Sequence, residues 1–587
     1  MRPSRFLAFL LLSSALTVLR GPAVQAQDVS ELFDPAAVAR GICKPFQTQD
    51  GAPNAFMQLA AASPTPAASS QPPLWPGLGD LSVKVTTTKL EAQAYFDQGL
   101  RLTYGFNHAE AIRAFKTAQT IDPLCAMCFW GEALALGPNI NFAMPAEANA
   151  PALAAVAKAR QLKVRASKKE QALIDAIVQR YSADAAAERG DLDQAYFDAM
   201  SRVQADFPAD ADIAVLTVEA AMDLSPWAYW QGGGREPLGA MTKAHPILED
   251  VLAKHPNHPG AIHYYIHVME QSAWPEKAEA PADRLGALMP GAGHMVHMPS
   301  HIYFVRGRYK DSLDANIAAV AADEAYFAKA ESDPIYKNGY YTHNIHFALE
   351  SAAFAGDAQT SLAMADKLMA AIPADKLRAI PMAQPIGIAP YLAHVRFSDV
   401  KAVLALPDPG DDVPYMKGLW HFVRGSALAI AGDVKAAKRE LNALVKLQET
   451  ADLTVIEAAA VPAGAILQVA ENVLSARIAG AEGDWAEAVV ELEAAVKGQD
   501  ELPYMEPAYW YYPARQSLGV ALLKAGRAKE AVEVLRRSLL DAPNNGWALH
   551  ALVQASKAAG DDLGAREYAK LFAKAWVGQT PPSLDRI

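Results

Sequence analysis

Ala92-Gln-Ala-Tyr95-Phe96-Asp97-Gln98-Gly99-Leu100-Arg101-Leu102, a break at Asn107, then Ala111, Phe115, Ala118 and Pro123: this stretch decides the fold. From Ala92 to Cys125 the unit is thirty-four residues long, with Tyr95, Gly99, Leu102, Ala111, Phe115 and Ala118 at positions 4, 8, 11, 20, 24 and 27 and Pro123 at 32. Apolar residues three and four apart mark one face of a helix, so the unit is a pair of amphipathic helices. Gly99 and Ala111 let the two helices approach closely, Phe115 fills the space between them, and Pro123 ends the second.

The same frame fits further along. Pro259 to Ala292 has Ala278 at 20 and Pro290 at 32; Gly293 to Tyr326 follows directly, with Gly307 and Tyr309 in the turn. Thr342 to Asp375 carries Gly356-Asp357 in the turn and Pro373 at 32, and Gly418 to Ala451 has Gly425, Gly432-Asp433, Ala437 and Leu441. Gly483-Asp484-Trp485 with Ala488, then Gly519, Gly526, Ala531 and Pro543, mark two more units, and a last pair runs from Trp547 to Trp576. This pattern resembles the tetratricopeptide repeat. It is similar to the secreted bacterial type with a histidine-rich central segment. The resemblance implies an all-α solenoid of helix hairpins over 85–587, and an interaction surface rather than a reaction. Strand-like alternation is absent. Three insertions, Asn139 to Ala150, Ser225 to Pro237 and Phe327 to Tyr341, lengthen connections in the way lids and binding loops do.

Ten of the fourteen histidines lie between His245 and Glu350, too many for an average composition. They include His263 and His267 with Glu270, then His294, His297 and His301, then His343 and His346 with Glu350, each set three, four or seven residues apart and so stacked along a helix. Within the repeat frame these residues fall at positions 2, 5, 9 and 12, as Glu219 falls at 9 of a unit starting near Ala211. In the family resembled, those positions line the concave groove, so successive units would aim imidazoles and carboxylates into one hollow. Axes of adjacent helices lie roughly 8–10 Å apart, close enough for their imidazoles to reach a common ion.

Pro299 sits at position 7 of its unit, which predicts that this helix starts at Pro299 and that a loop presents His294 and His297. The leading candidate metal ligands are therefore His263, His267, His301, His343 and His346, followed by His297, Glu270 and Glu350. Imidazole suits zinc, copper or iron, and the donors suffice for two ions. The metalloprotease motif HExxH is absent, because His263-Tyr-Tyr-Ile-His267 lacks its glutamate. The plainer alternative is a groove of neutral histidines, against Tyr264, Tyr265 and Tyr303, that grips an acidic or C-terminal peptide.

Lesser candidates for ligand contact are Trp227 and Trp230 in the second insertion, Tyr264, and Arg306, whose place at a helix end suits a structural role equally. Cys125-Ala-Met-Cys128 has redox or metal spacing, but with only Cys43 besides, a local or Cys43-linked disulfide competes with metal binding. Tyr504, Tyr509, Trp510, Tyr511 and Tyr512 form an aromatic belt expected to pack between repeats.

The N-terminus reads as a signal peptide over 1–26: basic Met-Arg-Pro-Ser-Arg, an apolar Phe6 to Leu19, and a cleavage point after Ala26. That predicts export, to the periplasm in a Gram-negative cell and otherwise to the exterior. Residues 27–84 read as a short segment and a Pro/Ala/Ser-rich linker. No later run reaches the roughly 20 apolar residues of a membrane span. The net charge of -12 without a basic run argues against nucleic acid. Three functions fit: a scaffold whose groove holds a transition metal and a peptide, protein or small molecule; a metal-dependent oxidoreductase or hydrolase; or a metal-free adaptor.

Overall fold

The computed structural model describes residues 71–587, apart from 185, 331–333 and 511. The expected signal peptide, Cys43 and most of the expected linker lie outside the described residues. The described chain is a succession of antiparallel helix hairpins. Leu90–Tyr104 pairs with His108–Ile121, Pro414–Ile430 with Val434–Thr450, Ala463–Glu482 with Trp485–Asp500, and Gly546–Ala558 with Asp562–Ala575.

Two local devices make these hairpins. The first is the turn: Gly356, Gly432, Gly483 and Gly560 take φ values between +77° and +84°, a conformation that costs glycine least. The aspartates that follow, Asp357, Asp433, Asp484 and Asp561, each accept a backbone N–H three residues on and so cap the next helix. The second is a missing side chain opposite a large one. A Cβ on Gly99 would lie 2.6 Å from the Phe115 ring and one on Gly131 only 2.3 Å from it, so this ring is wedged between Leu90–Tyr104 and the next unit's Ala126–Ala135. Gly519 stands against Leu535 in the same way.

The array closes on itself. Tyr104 lies against Gly260, while Trp547 Nε1 donates to the Ala353 carbonyl (2.8 Å) and the Val577 N–H to that of Ala355 (2.9 Å). Both ends thus come back to the central hairpins, where two contiguous apolar cores meet.

Three local expectations change. The stretch from Gln71, placed in a linker by its composition, packs on the first hairpin: Tyr95 Oη donates to the Pro72 carbonyl (2.9 Å) and Trp75 Nε1 to Glu110 Oε1 (2.7 Å). The insertion at 225–237 contains a small antiparallel pair, Trp230–Gln231 with Glu236–Pro237, because Gly232, Gly233 and Gly234 all take positive φ and turn the chain sharply. Third, the helix expected to start at Pro299 starts at Gly293. Gly293–His297 is helical, Met298 keeps helical dihedrals, and Pro299–Val305 continues, so Pro299 removes one N–H without unwinding the turn before it. Among the described residues no helix is long and apolar enough to cross a membrane.

If Phe115 is the wedge, Phe115→Ala should destabilise by about 3–5 kcal/mol and Gly99→Ala by about 1–3 kcal/mol through overpacking. In the double variant the glycine substitution should lose most of its effect, because the ring it collides with is gone. Equal effects of Gly99→Ala with and without Phe115, read from urea midpoints, would refute the wedge.

Candidate metal centre

The first helices of three successive hairpins lie side by side: Pro259–Met269, the Gly293–His297 and Pro299–Val305 pair, and Tyr340–Ala355. They bring six buried histidines together in two groups: His263 with His267 and His294, and His297 with His301 and His343. Within each group one ring nitrogen from every residue lies within 4.8 Å of the others. His263 Nε2 is 3.1 Å from His267 Nε2 and 3.1 Å from His294 Nε2; His297 Nε2 is 2.7 Å from His301 Nε2. Nitrogens bound tetrahedrally at about 2.0–2.1 Å from one ion stand roughly 3.3 Å apart.

The opposite edges of these rings determine which nitrogen carries the proton. His263 Nδ1–H donates to the Tyr104 carbonyl (2.6 Å) and His267 Nδ1–H to Glu270 Oε1 (3.0 Å). His297 Nδ1–H donates to Asn316 Oδ1 (2.6 Å), and the amide orientation is fixed because Asn316 Nδ2 donates to the Ser312 carbonyl (2.7 Å). A carbonyl and an amide oxygen only accept, and Glu270 Oε1 accepts too because the acid proton of Glu270 is shared with Glu506 on its Oε2 side. The protons therefore sit on Nδ1, and the Nε2 lone pairs of His263 and His267 face each other across 3.1 Å. This is how outer partners orient imidazole for a metal.

His301 differs. Its Nδ1–H lies 2.6 Å from Glu270 Oε2 and 2.7 Å from Glu506 Oε2. Burial pulls its pKa down, but Glu506 and Glu270 outweigh this and hold it at about 10. The proton on its Nε2 then donates to His297. Burial pushes Glu270 well above the carboxylate range, with repulsion from Glu506 adding to it; His301 overcomes burial at Glu506 and holds that acid at about 2. Burial is also the first reason that His263 falls to about 3, and that His267, His294, His297 and His343 fall far below their ordinary value. Five neutral imidazoles are the protonation state a metal requires.

Aromatic rings cover the cluster. Phe106 lies 4.5 Å from the His263 ring and 5.5 Å from that of His294; Trp227 lies 5.1 Å from His267 and donates from Nε1 to the Ile140 carbonyl (3.0 Å). Both residues have left-handed backbone, φ 56° and 67°, at a cost of about 1–3 kcal/mol each that surrounding contacts must offset. Between Trp227, His267, His294, Tyr340, His343 and Glu506 is a cavity of about 10 Å³, the room that one water-sized sphere needs. The expected open groove is therefore filled here, because insertions and the chain's C-terminal part fold into it.

Other candidates take other places. His346 and Glu350 join neither group: three residues turn a helix by roughly 300°, which carries His346 off the His343 direction, and its Nε2 meets Glu350 Oε1 at 3.1 Å instead. Glu270 is brought to the site, on the Nδ1 side of His267 and His301. Glu219 is drawn away by buried Arg180 (3.3 Å), which also holds Asp223 (2.6 Å). Arg306 pairs with Glu279, and Trp230 stacks edge-on to His245 (5.3 Å) while its Nε1 donates to the Val268 carbonyl. Tyr264 lies behind His263, with ring centroids 5.5 Å apart. Cys125 and Cys128 form a disulfide, which removes them as metal ligands.

Sequence reasoning set His294 aside for want of a helix that does exist. It also missed Asn316 on a second helix, Phe106 in the first turn, and Glu506. Glu506 is 205 residues from His301, inside the aromatic belt, where Tyr504 Oη donates to it (3.0 Å).

No protein-family model and no curated protein matches the chain. Solved helical structures with similarity include a human IFIT1 dimer with PPP-AAAA (13% identity, 82% of this chain and 95% of that one, TM-score 0.30) and yeast Tom70 (11%, 81% and 90%, 0.27). The turns and wedges described above define the hairpins.

The proton placement is testable in metal-free protein by ¹⁵N-histidine NMR: His263, His267 and His297 should appear as Nδ1–H tautomers. Asn316→Ala should release His297 to a mixture while leaving His263 unchanged; Nε2–H at His263 and His267 would overturn the assignment.

Proposed function

We propose that the chain is an exported helical-repeat protein that holds transition-metal ions at two adjoining three-imidazole sites. The observation that carries this reading is the face-to-face approach of the His263 and His267 lone pairs, each ring held in that orientation by an acceptor on its other nitrogen. In a buried place this arrangement is repulsive, and a cation between the nitrogens would relieve it. The donors are all imidazole at the Nε2 side, which suits copper, zinc or iron, with Glu270 and Glu506 as orienting groups rather than the first choice of ligand.

The cavity beside both groups supports a second reading, a metal-dependent oxidoreductase or hydrolase. Its size admits water or a comparably small molecule as co-ligand and no peptide. Any peptide or protein partner would engage a face of the array other than the filled groove at the histidine cluster.

Protein purified without a histidine tag should carry two metal equivalents per chain by elemental analysis, about one in His263→Ala or His297→Ala, and none in the double variant. Asn316→Ala should weaken affinity about 10–100-fold and Phe106→Ala should speed metal loss. An absence of stoichiometric metal, with no thermal shift on adding copper, zinc or iron, would leave the adaptor reading. Export predicts a mature N-terminus at Gln27, and Edman sequencing of secreted material checks it.

A further inference from the structure

The C-terminal half of the array contains a second cavity, of about 270 Å³, that shares no residue with the histidine cluster. It is near the lower end of the range for small-molecule sites, roughly 300–1,000 Å³. Its walls are mostly apolar, with Val473, Ala476, Leu492 and Val520 on three neighbouring helices and the Trp485 indole at one side. Two charged side chains line it: Arg477, and Asp585, which Lys524 engages at 3.4 Å.

Arg477 is half-buried and forms no ion pair among the described residues; its Nη1 is sealed from solvent, and so from the chamber, without an acceptor, so a ligand would meet the rest of the guanidinium. Arg180 also has an Nη1 without an acceptor, but it and Arg396 already have partners and do not line this cavity. Arg180 lies between Glu219 and Asp223, and Arg396 stacks on Tyr512 and Trp547 at 4.1 and 4.2 Å. A buried guanidinium N–H without an acceptor is costly, and carboxylate is the acceptor that a planar guanidinium fork matches best. A cation at the wall of an apolar chamber selects an anionic head with a hydrocarbon body.

We propose that this cavity binds a small monocarboxylic acid, its carboxylate on Arg477 and its apolar body among Val473, Ala476, Leu492 and Val520. The proposal is independent of metal at the histidine cluster. The test is titration of the full chain with [1-¹³C]octanoate, followed by ¹³C NMR and calorimetry, with octanol as the neutral control. The expected result is saturable one-to-one binding, at least tenfold weaker in Arg477→Gln, with octanol insensitive to that substitution. Ala476→Phe should abolish binding by filling the chamber while leaving the charge in place, and it decides the matter if Arg477→Gln fails to fold. Octanoate that does not bind the natural chain, or that binds both variants as tightly, would overturn the assignment.

Discussion

The site depends on where the ring protons lie. An imidazole offers a lone pair toward one side only if something on the other side takes its N–H, and for three of the rings the fold supplies that acceptor from a different source each time. It is a helix-end carbonyl for His263, a carboxylate on the same helix for His267, and an amide from the helix behind for His297. The consequence is a buried set of neutral nitrogens directed at one another. Local repeat geometry alone would stack histidines along a groove; it would not choose their tautomers.

The charge balance follows from this. A cluster with every imidazole neutral and no acid nearby would have no counter-charge for a metal. Glu506, held ionised, provides it from outside the ring of nitrogens with Glu270 beside it, and His301, between the two acids, is the one member held cationic. A metal ion and a proton thus compete for the same position between His297 and His301, whereas between His263 and His267 no proton is provided. The two groups are chemically unequal although each is built from three imidazoles.

The cover is obtained at the expense of backbone comfort. Phe106 and Trp227 occupy left-handed conformations in a turn and in an insertion, where glycine would be easier. Each lays an aromatic ring on the imidazoles and leaves room at the nitrogens for no more than a water-sized molecule. The same two residues close the groove, which is why the site resembles the interior of a domain more than the recognition surface of an open repeat array.

The sequence by itself determined the hairpins, because their signals are local: Gly-Asp turns, a glycine opposite Phe115, and histidines at helical intervals are readable within one unit. It also determined which helices carry the cluster. It could not separate His343, which joins the site, from His346 three residues later, since a small rotation of one helix about its axis decides between them. Nor did it disclose Glu506 or Asn316, which reach the site through closure of the whole array and the depth of a second helix. Only tertiary structure brings such groups together, because proximity across hundreds of residues depends on how the superhelix winds, and no local spacing records that.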